Sequence, residues 1–199
     1  MKFVLSILFL FPLTMIAQDE KSTVAAPEVQ IKTAVLAAPE EQRDSTMVYG
    51  YNEKGELVVL RKGTNNLVCI SDNPNQDGIQ VACYNIKLEP FMARGRELVA
   101  EGKSEEEKRA IREKEAADGT LKMPDAPSML YVLSGSEENY DETTGELKDS
   151  KFRYVIYTPY ATTESTGLPA KPGVPGMPWL MDPGTHRAHI MITPPKTEH

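Results

Sequence analysis

Four short runs rich in Val, Ile and Tyr, at residues 47–51, 57–61, 67–71 and 79–84, alternate with polar segments of turn composition. The segments Asn52-Glu53-Lys54-Gly55, Lys62-Gly63-Thr64-Asn65 and the Asn- and Asp-rich stretch 72–78 supply the residues that reverse a chain, so the pattern predicts a four-stranded antiparallel meander. The period then changes. After Glu89-Pro90, the residues Phe91, Met92, Gly95, Leu98 and Val99 recur at helical spacing, with Arg94 and Arg96 flanking the apolar stripe and Gly102 as a stop. Ser104 with Glu107 three residues on reads as a capping box for a second helix to Ala117, closed by Gly119. Its one large apolar residue is Ile111, and Glu105, Arg109 and Glu113 are opposite charges four apart, so this helix should lie on the surface.

Strand patterns return at 129–133 and 152–158, and both carry apolar residues at either parity, as strands covered on two faces do. Between 159 and 184 come Pro169, Pro172, Pro175, Pro178 and Pro183 with several glycines, which exclude regular helix or interior strand. A connection of this length is functional or disordered in most domains. Residues 188–193 supply a last strand. The expected fold is α+β: a mostly antiparallel sheet of about seven strands with a central two-helix insertion and a long Pro-rich loop.

The N-terminus reads differently. Lys2, a strongly apolar run over residues 3–13 extended through Met15 and Ile16, and then Ala17-Gln18-Asp19 are the parts of a secretory signal peptide. The expected organisation is a signal peptide at 1–17, a flexible leader at 18–28 and one domain over 29–199, in which 29–38 is mostly apolar and 39–43 forms a short helical turn. The run is short for a bilayer span, and no Cys follows it to carry a lipid, so the mature chain is expected in the periplasm or secreted, not spanning a membrane.

Charge narrows the partners. The formal charge is −7, and loss of Lys2 with the leader makes it one unit more negative; with no basic stripe interleaved with aromatics, nucleic acid is excluded as an expected partner. Cys69 and Cys83 are the only cysteines and bracket the turn-rich 72–78 stretch symmetrically, so in an oxidising compartment they are expected to form a disulfide across a hairpin.

Candidate chemistry clusters late in the chain. His186 and His189 suit metal ligation or proton transfer, but on one strand their side chains would point to opposite faces; only from a loop could they converge. Ser165, Asp182 and Glu164 supply types for hydrolysis, without the Gly-x-Ser-x-Gly elbow. Asn73, Asn75, Asp77 and Gly78 echo half a calcium loop, yet Tyr84 stands where the bidentate carboxylate belongs. Trp179, with Met177, Leu180 and Met181, is either a plug completing the interior or the wall of a cleft gripped by polar groups such as His186, Arg153 and Tyr157.

The blocks 88–98 (Leu-Glu-Pro-Phe-Met-Ala-Arg-Gly-Arg-Glu-Leu), Thr166-Gly167-Leu168, Pro178-Trp179-Leu180-Met181 and His189-Ile190-Met191 resemble those of a family of uncharacterised exported bacterial proteins. The resemblance implies export and carries no assigned activity. The functional expectation is a non-enzymatic exported module without cofactor or metal. It would bind a small ligand, peptide or envelope partner through residues 159–187, with Trp179, His186, His189, Arg153 and Tyr157 as binding residues. The alternative is a hydrolytic or metal-assisted enzyme using His186 and His189 with Glu164, Ser165 or Asp182.

Overall fold

The strand runs pair into one sheet made of β1 (Met47–Tyr51), β2 (Leu57–Arg61), β3 (Leu67–Ile70), β4 (Ile79–Asn85), β5 (Ser128–Gly135), β6 (Lys151–Tyr157), β7 (Trp179–Met181) and β8 (His189–Ile192). The computed structural model describes residues 24–195, so the expected signal peptide, most of the expected leader and His199 lie outside the described residues. The spatial order is β2-β1-β3-β4-β5-β6-β8-β7, with every neighbour antiparallel except β1 and β3. The α+β architecture with a two-helix insertion is as expected. The eighth strand is β7, a three-residue edge strand inside the Pro-rich connection, where prolines on either side are tolerated because only one edge is paired.

The first four strands are not a meander. β1 and β2 form a hairpin through Asn52, whose Oδ1 accepts the Lys54 and Glu56 amides. The chain then crosses the start of β1 and delivers β3 to its other edge in parallel. Gly63 makes the crossing possible, because a Cβ there would fall 2.2 Å from the Met47 nitrogen. Ser45 O accepts the Thr64 and Asn65 amides, and Arg61 donates to Thr46 O at 3.1 Å and to Thr46 Oγ1 at 2.8 Å, which holds the strap down.

Each face of the sheet is covered by different helices. One face presents Val48, Cys69, Val81, Cys83 and Leu133 to α1 (Pro27–Val35), whose Ala34 is fully buried. Pro27 opens this helix, as a residue without an amide hydrogen can, so positions 27–28 of the expected leader are its first turn. Cys69 and Cys83 are register partners on β3 and β4 and form the disulfide, closing a 14-residue separation beneath α1.

The opposite face carries Val68, Tyr84, Val155, Tyr157 and Met191 beneath α2 (Glu89–Ala100) and the Leu121 that follows α3 (Glu105–Ala117). Phe91 and Leu98 are the buried residues of α2, while Val99 is exposed. Glu89 pins this helix to the sheet, accepting from the Tyr84 hydroxyl at 2.5 Å and from Arg96 at 2.6 Å. The Ser104–Glu107 capping box is formed, and α3 is largely exposed as its charge pattern predicted.

Candidate functional site

β6 ends at Tyr157, and the chain then runs through the Pro-rich segment before returning as β7 and β8. Its first part is a one-turn helix, α4 (Thr163–Thr166), set by a Thr162–Ser165 capping box and ended by Gly167 at φ 69°. Ser165 Oγ accepts the Thr162 amide at 2.9 Å and donates to Thr162 O at 3.1 Å, so this hydroxyl is occupied as a cap. Glu164 is exposed beside it, its carboxyl held below the usual range by its own backbone amide and by the Thr162 and Thr163 hydroxyls. The segment then docks on the sheet edge, where Leu180 donates its amide to Pro169 O at 2.9 Å and is itself fully buried.

Trp179 pairs with Met191, which pairs in turn with Val155. Part of the indole packs against the Tyr157–Met191 side of the interior. The rest contributes to a groove of about 440 Å³ whose other walls come from 172–177 and 193–195. In that groove Val174 is 62% and Met177 37% exposed. The walls meet at Gly176, φ 80°, where a Cβ would lie 3.0 Å from the Pro195 ring, so glycine is required both by the backbone and by the close approach. The Gly173 amide donates to Met177 Sδ at 3.4 Å, closing the turn. Plug and cleft are therefore two sides of one side chain.

The histidines lie on the same side of the sheet. β8 begins at His189, and His186 belongs to the preceding loop, so the three-residue spacing does not separate them. His189 packs at a tilt against Tyr157 with centroids 5.1 Å apart, Tyr157 at a tilt against Phe91 at 5.5 Å, and Phe91 meets His186 edge-on at 6.0 Å. His189 donates from Nδ1 to Arg187 O at 2.6 Å, whereas neither ring nitrogen of His186 has a hydrogen-bond partner among the described residues. Burial pulls both imidazoles below their usual pKa, opposed at His186 by Glu113 and reinforced by Arg112 and Arg187. Asp182, at φ 51°, is committed to Arg187 at 3.0 Å. Among the described residues no three His, Cys, Asp or Glu side chains are grouped to hold a metal ion.

Of the expected binding residues, Trp179, Tyr157 and His189 share one patch of the sheet, with His186 reaching it from the loop through Phe91. Arg153 is exposed on the same face, two residues beyond Val155, outside the groove lining. Tyr157 is buried and its hydroxyl pushed up by that burial, which suits a packing role.

Sequence reasoning missed a second cavity, of about 250 Å³, between α1, the disulfide hairpin and the acidic segment after β5. Gln30 is its hinge: Nε2 donates to Tyr51 O at 2.8 Å while Oε1 accepts from the Tyr51 amide and from Ser71 Oγ. Thr33 Oγ1 and Tyr140 OH are 2.9 Å apart across 107 residues of sequence. Asp72 accepts the Gln80 amide at 2.7 Å, yet burial pushes its carboxyl up to about 6, with Glu137 adding to the rise. These groups are paired within the protein, and Asn73 Oδ1 accepts the Asn75 amide as hairpin-turn chemistry requires. The apolar run Leu67 to Ile70 followed by Ser71-Asp72 was the one available signal for Asp72; nothing local marked Gln30 or Tyr140.

Comparison of the chain with protein-family models, with curated proteins and with solved structures finds no match.

Proposed function

We propose that the chain is an exported, non-enzymatic binding module that takes a short extended peptide, by an apolar side chain, into the groove beside Trp179. The observation that carries this reading is the groove itself: an indole floor already anchored in the interior, with Val174 and Met177 left in water on a proline-stiffened wall. Its volume of about 440 Å³ lies in the range of small-ligand sites, and among the described residues no charged side chain lines it. Four of its lining residues, Pro172, Pro175, Pro194 and Pro195, have a carbonyl and no amide hydrogen, so the rim is rich in acceptors. A peptide supplies the missing donors together with the apolar side chain, and a stiff wall loses little freedom when it closes on a guest.

Three features support export: the apolar leader with its break at Ala17, the resemblance to exported bacterial proteins, and a disulfide between the only two cysteines. Sequencing the N-terminus of protein recovered outside the inner membrane should give a chain starting at Gln18; an intact Met1 with both thiols free would refute it.

Trp179 is the only tryptophan, so its emission reports the groove directly. Titration with blocked pentapeptides differing in the central residue should shift the emission to the blue and saturate for Leu, Met or Phe, but not for Asp or Ser. Val174→Asp should abolish the shift without lowering the melting temperature, because Val174 is largely exposed. An emission indifferent to every apolar peptide rules the groove out.

A further inference from the structure

We propose that His186 is an acid-sensitive latch: its neutral ring holds the 182–188 loop against α2, and protonation expels the ring and frees the loop with the Pro-rich segment it anchors. This goes beyond the groove reading and does not depend on it.

The loop is tied to the chain that leaves β6. Thr158 donates its amide to Ala188 O at 2.9 Å, Tyr160 to Thr185 O at 2.8 Å and Gly184 to Ala161 O at 2.7 Å. From this ladder His186, 3% exposed, reaches inward to α2, its edge set against Phe91. A buried polar ring ordinarily finds a partner for each nitrogen. Here Nδ1 and Nε2 have none among the described residues, and nearby Thr158 Oγ1 and Arg187 Nε are equally unpartnered. Neither the groove nor the cavity described above is lined by this ring.

A neutral imidazole leaves one N–H without an acceptor in such a place, a tolerable cost. An imidazolium leaves two, with a full charge, and must be rehydrated or repelled. The groups facing it sharpen the contrast. From α3 come Arg112, whose guanidinium lies 4.3 Å from the Phe91 centroid, and Glu113; from its own loop come Arg187 and Asp182. Asp182 is already paired with Arg187. Tyr157 and His189 complete the row behind Phe91, and His189 has spent Nδ1 on Arg187 O. Glu113 and Asp182 favour a charged ring and Arg112 and Arg187 oppose it, but among the described residues neither carboxylate hydrogen-bonds the imidazole, so the cost of burying the charge decides.

Amide hydrogen exchange of the mature chain, corrected for the intrinsic rate, tests the latch at about pH 7.5 and about pH 5.5. A one-proton latch changes loop opening by up to about tenfold per pH unit. Protection at Tyr160, Gly184 and Ala188 should therefore fall at the lower pH, while Val81 and Cys83 in the central sheet stay protected. His186→Leu should remove the pH dependence, and His189→Asn, which keeps a donor toward Arg187 O, should retain it. Loop protection that is independent of pH, or that follows His189 in place of His186, overturns the proposal. If His186→Leu does not fold, the ring proton resonance of wild-type His186 decides. A midpoint shared with the loop amides supports the latch, and a midpoint separate from theirs refutes it.

Discussion

At Trp179 one side chain meets two demands that composition alone presents as alternatives. Its inner edge packs on the Met191 side of the interior and its outer face borders the groove, so Trp179→Ala should cost about 1–2 kcal/mol. Leu180→Ala next to it, at a fully buried position, should cost about 2–5 kcal/mol. Urea unfolding followed by circular dichroism separates the two, and equal losses would make Trp179 purely an interior residue. At this scale the local chemistry was legible. Ser104 with Glu107, the positive-φ glycines at 102 and 119, and the Cys69–Cys83 pair all act within a few residues or across one hairpin. Gln30 and Tyr140 were not legible, since each takes its role from partners far off in sequence, Thr33 and Tyr140 lying 107 residues apart. His186 was singled out for its residue type, and its position against Phe91 depends on a loop that no spacing rule describes.

The helices α2 and α3 and all strands but β7 followed from periodicity, while α1 and the pairing of β1 with β3 did not. Lys62-Gly63-Thr64-Asn65 has the composition of a hairpin turn, and the choice of edge is made by Gly63 clearing the Met47 backbone and by Arg61 reaching Thr46. A residue larger than glycine at 63 must push the strap off β1, so Gly63→Val should destabilise by several kcal/mol, beyond any propensity effect of about 1 kcal/mol. The disulfide acts on the adjacent hairpin. Closing a loop of about 15 residues stabilises the fold by about 3 kcal/mol in the chain-entropy model, and reduction should lower the urea midpoint accordingly without changing the secondary structure. Partial unfolding of β3 and β4 on reduction would instead show that the bridge holds the strands and not only the unfolded chain. β7 was hidden for a different reason. Three residues between prolines carry too little pattern to be read, and they become a strand only because β8 offers an edge.

The whole molecule carries two opposing responses to acid, and their balance is the property that no single element shows. His186 and His189 have folded pKa values below the unfolded 6.5, so the unfolded chain binds more protons as pH falls past that value; their stability is complete above about pH 6.5 and is lost progressively below it. Asp72 runs the other way. Its folded value of about 6 lies above the unfolded 3.8, so the buried carboxylate strains the fold at neutral pH and the strain is relieved as pH falls through 6. Between about pH 6.5 and 5 the two contributions offset, and the wild-type melting temperature should change little. Asp72→Asn keeps an acceptor for the Gln80 amide and removes the charge. It should raise stability at pH 7.5 by on the order of 1 kcal/mol, discounted because the carboxylate is only half-buried. That advantage should shrink as pH falls below about 6, to roughly half by about pH 5, and vanish only near the unfolded value of 3.8, leaving the variant with the steeper acid slope that the histidines impose. Exposed carboxylates such as Glu105, Glu107 and Asp125, whose values are lowered by their own neighbours, give up their contributions at lower pH and stay outside this window. A melting-temperature series from pH 8 to 5 reads the difference directly. Parallel curves for wild type and Asp72→Asn would mean that Asp72 does not titrate in the folded protein near neutrality, and the offset would have to be sought elsewhere.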